Sequence, residues 1–211
     1  MAPWIIEHGT LWALEFGNAP LVQVAPLISV RFREVQRSDA AALAAAMGLP
    51  DSAEVLRRID AGRRCFVAWA GEDIAAYGWY SQGMECIGEL EQAFAIPVND
   101  GYIWDCATRE TYRGHHLYSA LLSCIAAILR DEGLARLWIG AMSHNIASIR
   151  GFAAAGFQPV VTLTYTRIWN LRRRRVVGVA TAPPDLVAVA RRALHPRPAR
   201  RAGKDPCASQ G

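Results

Sequence analysis

The sequence is poor in lysine and in clustered cysteine. Lys204 is the only lysine among 23 basic residues, and with the abundant alanine this bias is typical of a high-GC, bacterial genome. The five cysteines form no CxxC pair and no Cys/His cluster with ligand spacing. We therefore expect neither a metal site nor a disulfide framework.

Long apolar runs are also missing. The longest, 117–129, is interrupted by Tyr118, Ser119 and Ser123 and is shorter than the roughly 18 residues that a membrane span requires. The first ten residues carry no basic segment and no small-residue cleavage site, so no secretory signal is expected. With 52% apolar residues among 211, the chain can fill one core. These features predict a globular cytoplasmic protein.

The net charge of +4 hides an uneven distribution. Residues 172–211 carry ten Arg or Lys and two acids, whereas residues 1–171 carry thirteen bases and seventeen acids. The four-arginine run 172–175 has no interleaved aromatic residues and no recognition module around it, so nucleic-acid binding is not expected. We interpret this basic segment as a solvated appendage.

Hydrophobic periodicity and turn residues predict a mixed α/β fold. Strands are expected over 29–36, 64–70, 74–81, 89–96, 102–108, 135–142 and, as two runs, 157–170, with helices over 40–47, 51–61, 117–131 and 145–156. We divide the chain into a leader (1–29), one domain (30–171) and a basic tail (172–211). The leader holds two strand-like runs, 10–16 and 21–25. In the tail, one helix over 183–194 precedes a stretch with a disordered composition.

The most informative stretch runs from Tyr102 to Phe157. A predicted strand leads through Tyr112-Arg113-Gly114 into a helix that begins near Leu117. A helix N-terminus has unpaired backbone N–H groups and a positive dipole end, and a glycine lets the backbone approach a phosphate closely. Taken alone, this arrangement fits either an anion site or an ordinary loop.

The same stretch resembles the centre of the GNAT N-acyltransferase superfamily. The matching elements are Tyr112-Arg113-Gly114, the helix over 117–131, the strand over 135–142, Asn145 with Ser148, and Gly156-Phe157. The order of strands and helices agrees from about Ser29 to Asn170. The resemblance implies a twisted mixed sheet of about six or seven strands, splayed at its centre and flanked by about four helices.

The resemblance also implies a binding site for acetyl-CoA or another acyl-CoA. Backbone groups of the predicted central strand would pair with the pantetheine arm, amides of the loop and first helical turn would cradle the pyrophosphate, and the next helix would contact the arm. The residues that this implies are Cys106, Ala107, Thr108, Arg113, Gly114, His115, His116, Leu117, Tyr118, Asn145, Ser148 and Phe152.

Two features depart from the family pattern. His116 and Tyr118 stand where the family's loop usually has small residues. Either their side chains point away from the phosphate, or the affinity for the cofactor is lower. Phe152 stands where many members have a tyrosine that protonates the leaving thiolate. That proton must come from elsewhere, from water or from another side chain such as Tyr165.

An amine that attacks a thioester must lose a proton, so a base is needed near the splay. Asp105 is the first candidate, because it matches an acidic residue on the central strand of polyamine-acetylating relatives; the alternative is an aspartate hydrogen-bonded across the sheet. Glu89 and Glu91 share one strand face and could attract a cationic acceptor; the alternative, which their pattern favours, is a solvated strand face. His144 could act as a base or be an ordinary loop histidine.

We therefore predict an N-acetyltransferase that transfers acetyl from acetyl-CoA to a primary amine by direct attack. The expected acceptor is a small-molecule amine, and the sequence leaves small amines, amino sugars, antibiotics and protein N-termini open. One alternative is a longer-chain acyltransferase using acyl-CoA or acyl carrier protein, favoured by an apolar splay near Phe94, Trp104 and Phe152. The other is a catalytically degenerate acyl-CoA-binding module. A homodimer is compatible with the resemblance, since late strands of this fold often pair between subunits.

Overall fold

A mixed sheet of eight strands organises the fold. The computed structural model describes residues 4–87, 92–169 and 171–195. The strands are β1 (Trp4–Glu15), β2 (Arg31–Glu34), β3 (Arg64–Ala70), β4 (Asp73–Ser81), β5 (Met84–Ile87), β6 (Gln92–Ala95), β7 (Asp100–Thr108), β8 (Arg136–Met142), β9 (Gln158–Ile168) and β10 (Leu171–Gly178). The large sheet has the order β10-β9-β1-β8-β7-β4-β3-β2, and β5 and β6 form a separate pair.

Helices cover both faces of the sheet. They are α1 (Ala40–Met47), α2 (Ala53–Asp60), α3 (Leu117–Asp131), α4 (Ile146–Ala154) and α5 (Pro184–Leu194). Alternate residues of each strand reach opposite faces: on β8, Ile139 packs in the core beneath α3 and α4, whereas Trp138 packs in the core beneath α5. The mixed α/β architecture and the GNAT-type sheet expected from the sequence are confirmed.

The leader contributes a strand to the middle of the sheet. β1 runs antiparallel to both neighbours, with Thr10 opposite Ala141 on β8 and opposite Thr162 on β9. The second strand expected in the leader, over 21–25, is wrong: this segment lies between Pro20 and Pro26 and has no strand structure. The boundaries at 30 and 171 stay a prediction, but the sheet of the described residues includes strands from both flanking segments.

The C-terminal region also joins the sheet. The arginine run 172–175, expected as a solvated appendage, lies in β10, which pairs with β9 at the sheet edge. Charged residues on an edge strand discourage pairing with other chains. The predicted pair of runs over 157–170 is one continuous strand, and the helix expected over 183–194 is α5. Cys86 is disulfide-bonded, which departs from the expectation of a chain without disulfides.

The centre of the sheet opens between β7 and β8. These parallel strands pair only from Asp100 to Ile103 on β7, opposite Arg136 to Ile139 on β8. Further along, Asp105 adopts a left-handed conformation with φ 43°, and β7 carries one extra residue against β4. This bulge bends β7 away from β8. Within the described residues, no helix is long and apolar enough to cross a membrane.

Candidate active site

The opening between β7 and β8 leads into a cavity of about 550 Å³. Its walls come from β1, β7, β8, the first turn of α3 and the start of α4, with Arg58 of α2 at one side. With Cys86 of β5 and Leu163 of β9, residues from eight elements line the cavity, which opens where the bulge at Asp105 separates the two central strands. A concave site with several convergent polar groups is a typical ligand-binding site.

Residues 104–106 of β7 line the cavity and do not pair with β8. On its other side β7 pairs with β4, with Ala107 opposite Tyr77 and Thr108 opposite Ala76. The hydroxyl oxygen of Thr108, two residues beyond the cavity lining, is buried and has no hydrogen-bond partner in the part of the chain that the structure describes. A buried polar group without a partner is costly. An amide-containing chain laid along this edge would supply the partner, so the segment fits a pantetheine arm.

Two residues of the loop before α3 have left-handed backbone conformations. Gly114 has φ 81°, and a side chain here would meet no neighbouring atom. His116, the residue that caps α3, has φ 59° and makes no side-chain capping bond. The left-handed φ gives a physical reason for a small residue at this position, since glycine adopts it without strain. His116 is exposed, and the carbonyl of His115 anchors the loop by accepting a hydrogen bond from Leu27 N at 3.0 Å.

Tyr118 turns away from that loop and into the cavity wall. Its ring lies 6.1 Å from the ring of Phe152, and a Cβ atom at Gly151 of α4 would lie 2.8 Å from its Cε1. Burial raises the pKa of Tyr118 well above its ordinary value. The side chain of Tyr118 therefore packs inward against α4 and not over the loop at Gly114, and the part of this loop in binding a phosphate stays a prediction.

Asp105 is engaged in an ion pair. Its carboxylate accepts from the guanidinium of Arg58, which also donates to Glu54 at 2.7 Å. The same guanidinium lies 5.0 Å from the ring of Trp79 and 4.8 Å from that of Trp104. Asp105 and Arg58 both line the cavity, so this wall presents a largely compensated pair of charges.

Glu7 is the site residue that the sequence did not reveal. It lies on β1, where its backbone pairs opposite Tyr165 of β9, and it is half-buried and lines the cavity. Its carboxylate forms no hydrogen bond or ion pair with the described part of the chain. Ser143 N donates to the carbonyl of His8 at 2.7 Å, which extends the β1–β8 register and brings Glu7 to the same end of the cavity as His144. The available signal was the run 4–6 (Trp-Ile-Ile) before Glu7, whose residue types favour a strand.

Some of the remaining residues predicted from the sequence line the cavity, and others do not. Of the acyl-CoA residues implied by the resemblance, Cys106, Tyr118, Asn145 and Ser148 line the cavity. Asn145 also caps α4, its side-chain oxygen accepting from Ser148 N at 3.2 Å. Three aromatic residues that were considered, Phe94, Phe152 and Tyr165, are buried in the core and do not line the cavity. Glu89 and Glu91 lie outside the described residues.

Comparisons with known proteins agree with this geometry. A family model described as the acetyltransferase (GNAT) family matches residues 32–157, which is more than half of the chain. Among solved structures, a GNAT-family acetyltransferase from Novosphingobium aromaticivorans has a TM-score of 0.55 at 14% identity, over 78% of this chain and 66% of that one. A GCN5-related N-acetyltransferase from Sphaerobacter thermophilus has a TM-score of 0.55 at 14% identity, over 84% of this chain and 54% of that one.

A third similar structure, a GNAT-family acetyltransferase from Colwellia psychrerythraea, has a TM-score of 0.50 at 16% identity, over 74% of this chain and 53% of that one. This chain therefore spans about half to two thirds of these solved chains. At such identities the likeness shows the fold. No curated protein matches the sequence. The matched family span, 32–157, excludes β1 and with it Glu7.

Proposed function

The chain belongs to the GNAT acetyltransferase family, and on that basis we propose that it transfers an acetyl group from acetyl-CoA to a primary amine. The observation that carries the proposal is the cavity where β7 and β8 part. There the edge of β7 that does not pair with β8, Tyr118 in the first turn of α3 and Glu7 line one cavity. Within the described residues the carboxylate of Glu7 has no partner, and neither has the buried hydroxyl of Thr108, two residues beyond Cys106 on β7. The end of the cavity at β7 and α3 suits acetyl-CoA, and the end at Glu7 suits an amine.

Two features of this chain would hold acetyl-CoA. The β7 edge 104–108 and the Thr108 hydroxyl would hydrogen-bond the amides of the pantetheine arm, as an added strand does. Backbone N–H groups at the start of α3, approached over Gly114, would bind the pyrophosphate. Bound in this way, acetyl-CoA supplies the acetyl group as an activated thioester.

Glu7 is the base that we assign to the amine. A primary amine reaches the cavity mainly as an ammonium ion, which a carboxylate attracts and which must lose a proton before nitrogen can attack. The Glu7 carboxylate is available because it has no partner among the described residues, whereas the Asp105 carboxylate accepts from Arg58. His144, at the same end of the cavity, can pass the proton towards solvent. Unpaired N–H groups of the β7 edge would stabilise the negative charge that develops on the acetyl oxygen.

A calorimetric titration with acetyl-CoA tests the donor half of the proposal. Both Gly114→Glu and Gly114→Ala place a side chain at a residue whose φ is 81°, so both carry the same backbone strain. Only Gly114→Glu also adds a negative charge beside the proposed pyrophosphate position. We expect the glutamate variant to bind about tenfold or more weakly than the alanine variant, equivalent to at least about 1.4 kcal/mol. Equal affinities would place the pyrophosphate elsewhere.

A primary-amine screen read by free-thiol release tests the acceptor half. Wild-type protein is expected to release thiol only when acetyl-CoA and an amine are both present. Binding of acetyl-CoA without thiol release for any amine would contradict acyl transfer and favour a binding module.

A further inference from the structure

The guanidinium of Arg58 is surrounded by aromatic rings and carboxylates at the wall of the cavity. It lies 5.0 Å from the ring of Trp79 and 4.8 Å from the ring of Trp104. Its Nε donates to Glu54 at 2.7 Å, and its Nη1 donates to Asp105. Aromatic faces and carboxylates are the groups with which proteins bind cationic ligands. Here a side chain of the protein itself, 15% exposed, occupies that place.

Neighbouring contacts fix these groups and balance their charges. The indole N–H of Trp104 donates to the hydroxyl of Ser81 at 2.7 Å. Glu54 accepts a second ion pair from Arg57, also at 2.7 Å. The network therefore joins two guanidinium groups to two carboxylates. Asp105 lines the cavity as a member of this network, so it offers little net negative charge to a ligand.

Arg58 and Glu7 reach the cavity from the same face of the sheet. Alternate residues of a strand reach opposite faces. On β1, Trp12 packs against the core beneath α3, whereas Leu11 lies in the core beneath α5, and Glu7 follows the alternation of Leu11. Trp104, which contacts Arg58, packs against the core beneath α5 and against the core beneath α1 and α2. Both charged side chains therefore lie on the face opposite α3, away from the end assigned to acetyl-CoA.

Among the described residues, the carboxylate and guanidinium groups that line the cavity belong to Glu7, Asp105 and Arg58. Because Arg58 pairs with Asp105, Glu7 is left to bind one ammonium group. We propose that Arg58 determines the acceptor class: it restricts the site to amines with one ammonium group and rejects diamines and polyamines. This inference rests on the proposed acetyl transfer. A second ammonium group would lose its hydration without gaining a carboxylate, and it would meet the positive charge of Arg58.

Arg58 thus acts as a repulsive element, which specificity between similar ligands often requires. Without Arg58, the carboxylate of Asp105 would be free at the cavity wall and could pair with a second ammonium group. Met142 and Leu163 line the same cavity, so an uncharged remainder of the acceptor has apolar side chains to contact. The acceptor that fits best is therefore a monoamine with an apolar body.

Pairs of amines with equal numbers of heavy atoms test the proposal. Each straight-chain monoamine is paired with the diamine that has an ammonium group in place of the terminal methyl group, such as n-hexylamine with cadaverine. With acetyl-CoA, the wild type should show a kcat/KM at least about tenfold higher for the monoamine. Arg58→Met should raise the diamine-to-monoamine ratio of kcat/KM about tenfold, because Asp105 is then free to pair with the second ammonium group.

Three further variants separate charge from structure. Arg57→Met is the matched control, because Arg57 precedes Arg58 on α2, pairs with the same Glu54 and is not part of the cavity lining among the described residues. It should keep the wild-type ratio. Arg58→Lys retains the positive charge and should keep that ratio too. Arg58→Met combined with Asp105→Asn removes the freed carboxylate and should return the ratio to about the wild-type value.

The wild-type comparison needs no variant, and equal or faster turnover of the diamines would overturn the assignment of Arg58. An unchanged ratio in a folded Arg58→Met protein, verified by thermal melting, would overturn it as well. An equal rise in Arg57→Met, or in the double variant without the Asp105 carboxylate, would show a structural effect and count against it. Failure of the proposed function is a different result, since the wild type would then release thiol with no amine of either kind.

Discussion

A methyl group added at Gly151 tests directly how Tyr118 is held. The Cβ of Gly151→Ala would lie 2.8 Å from Cε1 of the ring, whereas carbon atoms in ordinary contact are about 3.5–4.0 Å apart. The ring must therefore move by about 1 Å or more, or α4 must shift. Tyr118 is packed against Phe152, which is 1% exposed, so neither movement has free space.

The expected cost follows from this overlap. Forcing extra carbon into a packed core costs about 1–3 kcal/mol, so Gly151→Ala should lower the free energy of unfolding by that amount. In a Tyr118→Ala background the ring is absent and the clash disappears. Alanine is then the better helix residue by about 0.5–1 kcal/mol, so the same substitution should stabilise the protein. The effect of one methyl group is thus predicted to reverse its sign.

Urea unfolding of the four proteins in this double-mutant cycle measures the effect, and the two substitutions should couple by about 1.5–4 kcal/mol. Gly17→Ala is the matched control, because a Cβ at Gly17 meets no atom within 4 Å, and it should change stability by less than about 0.5 kcal/mol. A destabilisation of the same size in both backgrounds would refute the inward packing of Tyr118.

Three further predictions concern the cavity and the surface. Thr108→Val removes the buried hydroxyl, which has no partner in the described part of the chain, so it should raise the free energy of unfolding by about 1 kcal/mol and weaken acetyl-CoA binding in calorimetry. A lower free energy of unfolding with unchanged binding would contradict a hydrogen bond from Thr108 to the pantetheine arm. Arg58→Met removes the partner of Asp105 and the cation over two tryptophan rings. Urea unfolding should therefore show a free energy of unfolding lower by about 1–2 kcal/mol. Because the Asp105 carboxylate is then uncompensated, a cationic amine should show a lower KM. Hydrogen bonds from Arg33 lower the pKa of Asp39 below its ordinary 3.8, so this stabilisation is present above that pH and lost as the pH falls through the lower folded value. Arg33→Gln should therefore cost about 0.5–1 kcal/mol at pH 7 and almost nothing at pH 2, and a pH-independent difference would be inconsistent with the ion pair.

Local sequence patterns predicted the parts of the fold that depend on neighbours along the chain. The hairpin of β3 and β4, helix α3 and the Asn145 cap of α4 all follow from turn residues, capping residues and periodicity within short windows. The loop before α3 was predicted for the same reason, including the unusual side chain at His116. Its left-handed φ then shows why a small residue is usual there.

Contacts between residues far apart in the sequence could not be predicted from local patterns. β1 pairs with strands more than 120 residues away, Leu14 opposite Leu137 for example, and no local pattern indicates such a partner. Glu7 was therefore read as part of a leader rather than of the site. Arg58 lies on α2, far in sequence from Asp105, and the direction of the Tyr118 side chain depends on a glycine in another helix. Each of these contacts is fixed by tertiary packing.

The most direct test of the account is acetyl transfer by Glu7→Gln, which removes a negative charge from a strand outside the matched family span. With acetyl-CoA and a primary amine that the wild type accepts, the variant should lose about 10²- to 10³-fold in kcat/KM for the amine and keep its affinity for acetyl-CoA. Glu15→Gln, at the other end of β1 and paired with Arg136, is the matched control and should transfer acetyl at the wild-type rate. A Glu7→Gln protein as active as the wild type would contradict a base supplied by the N-terminal strand.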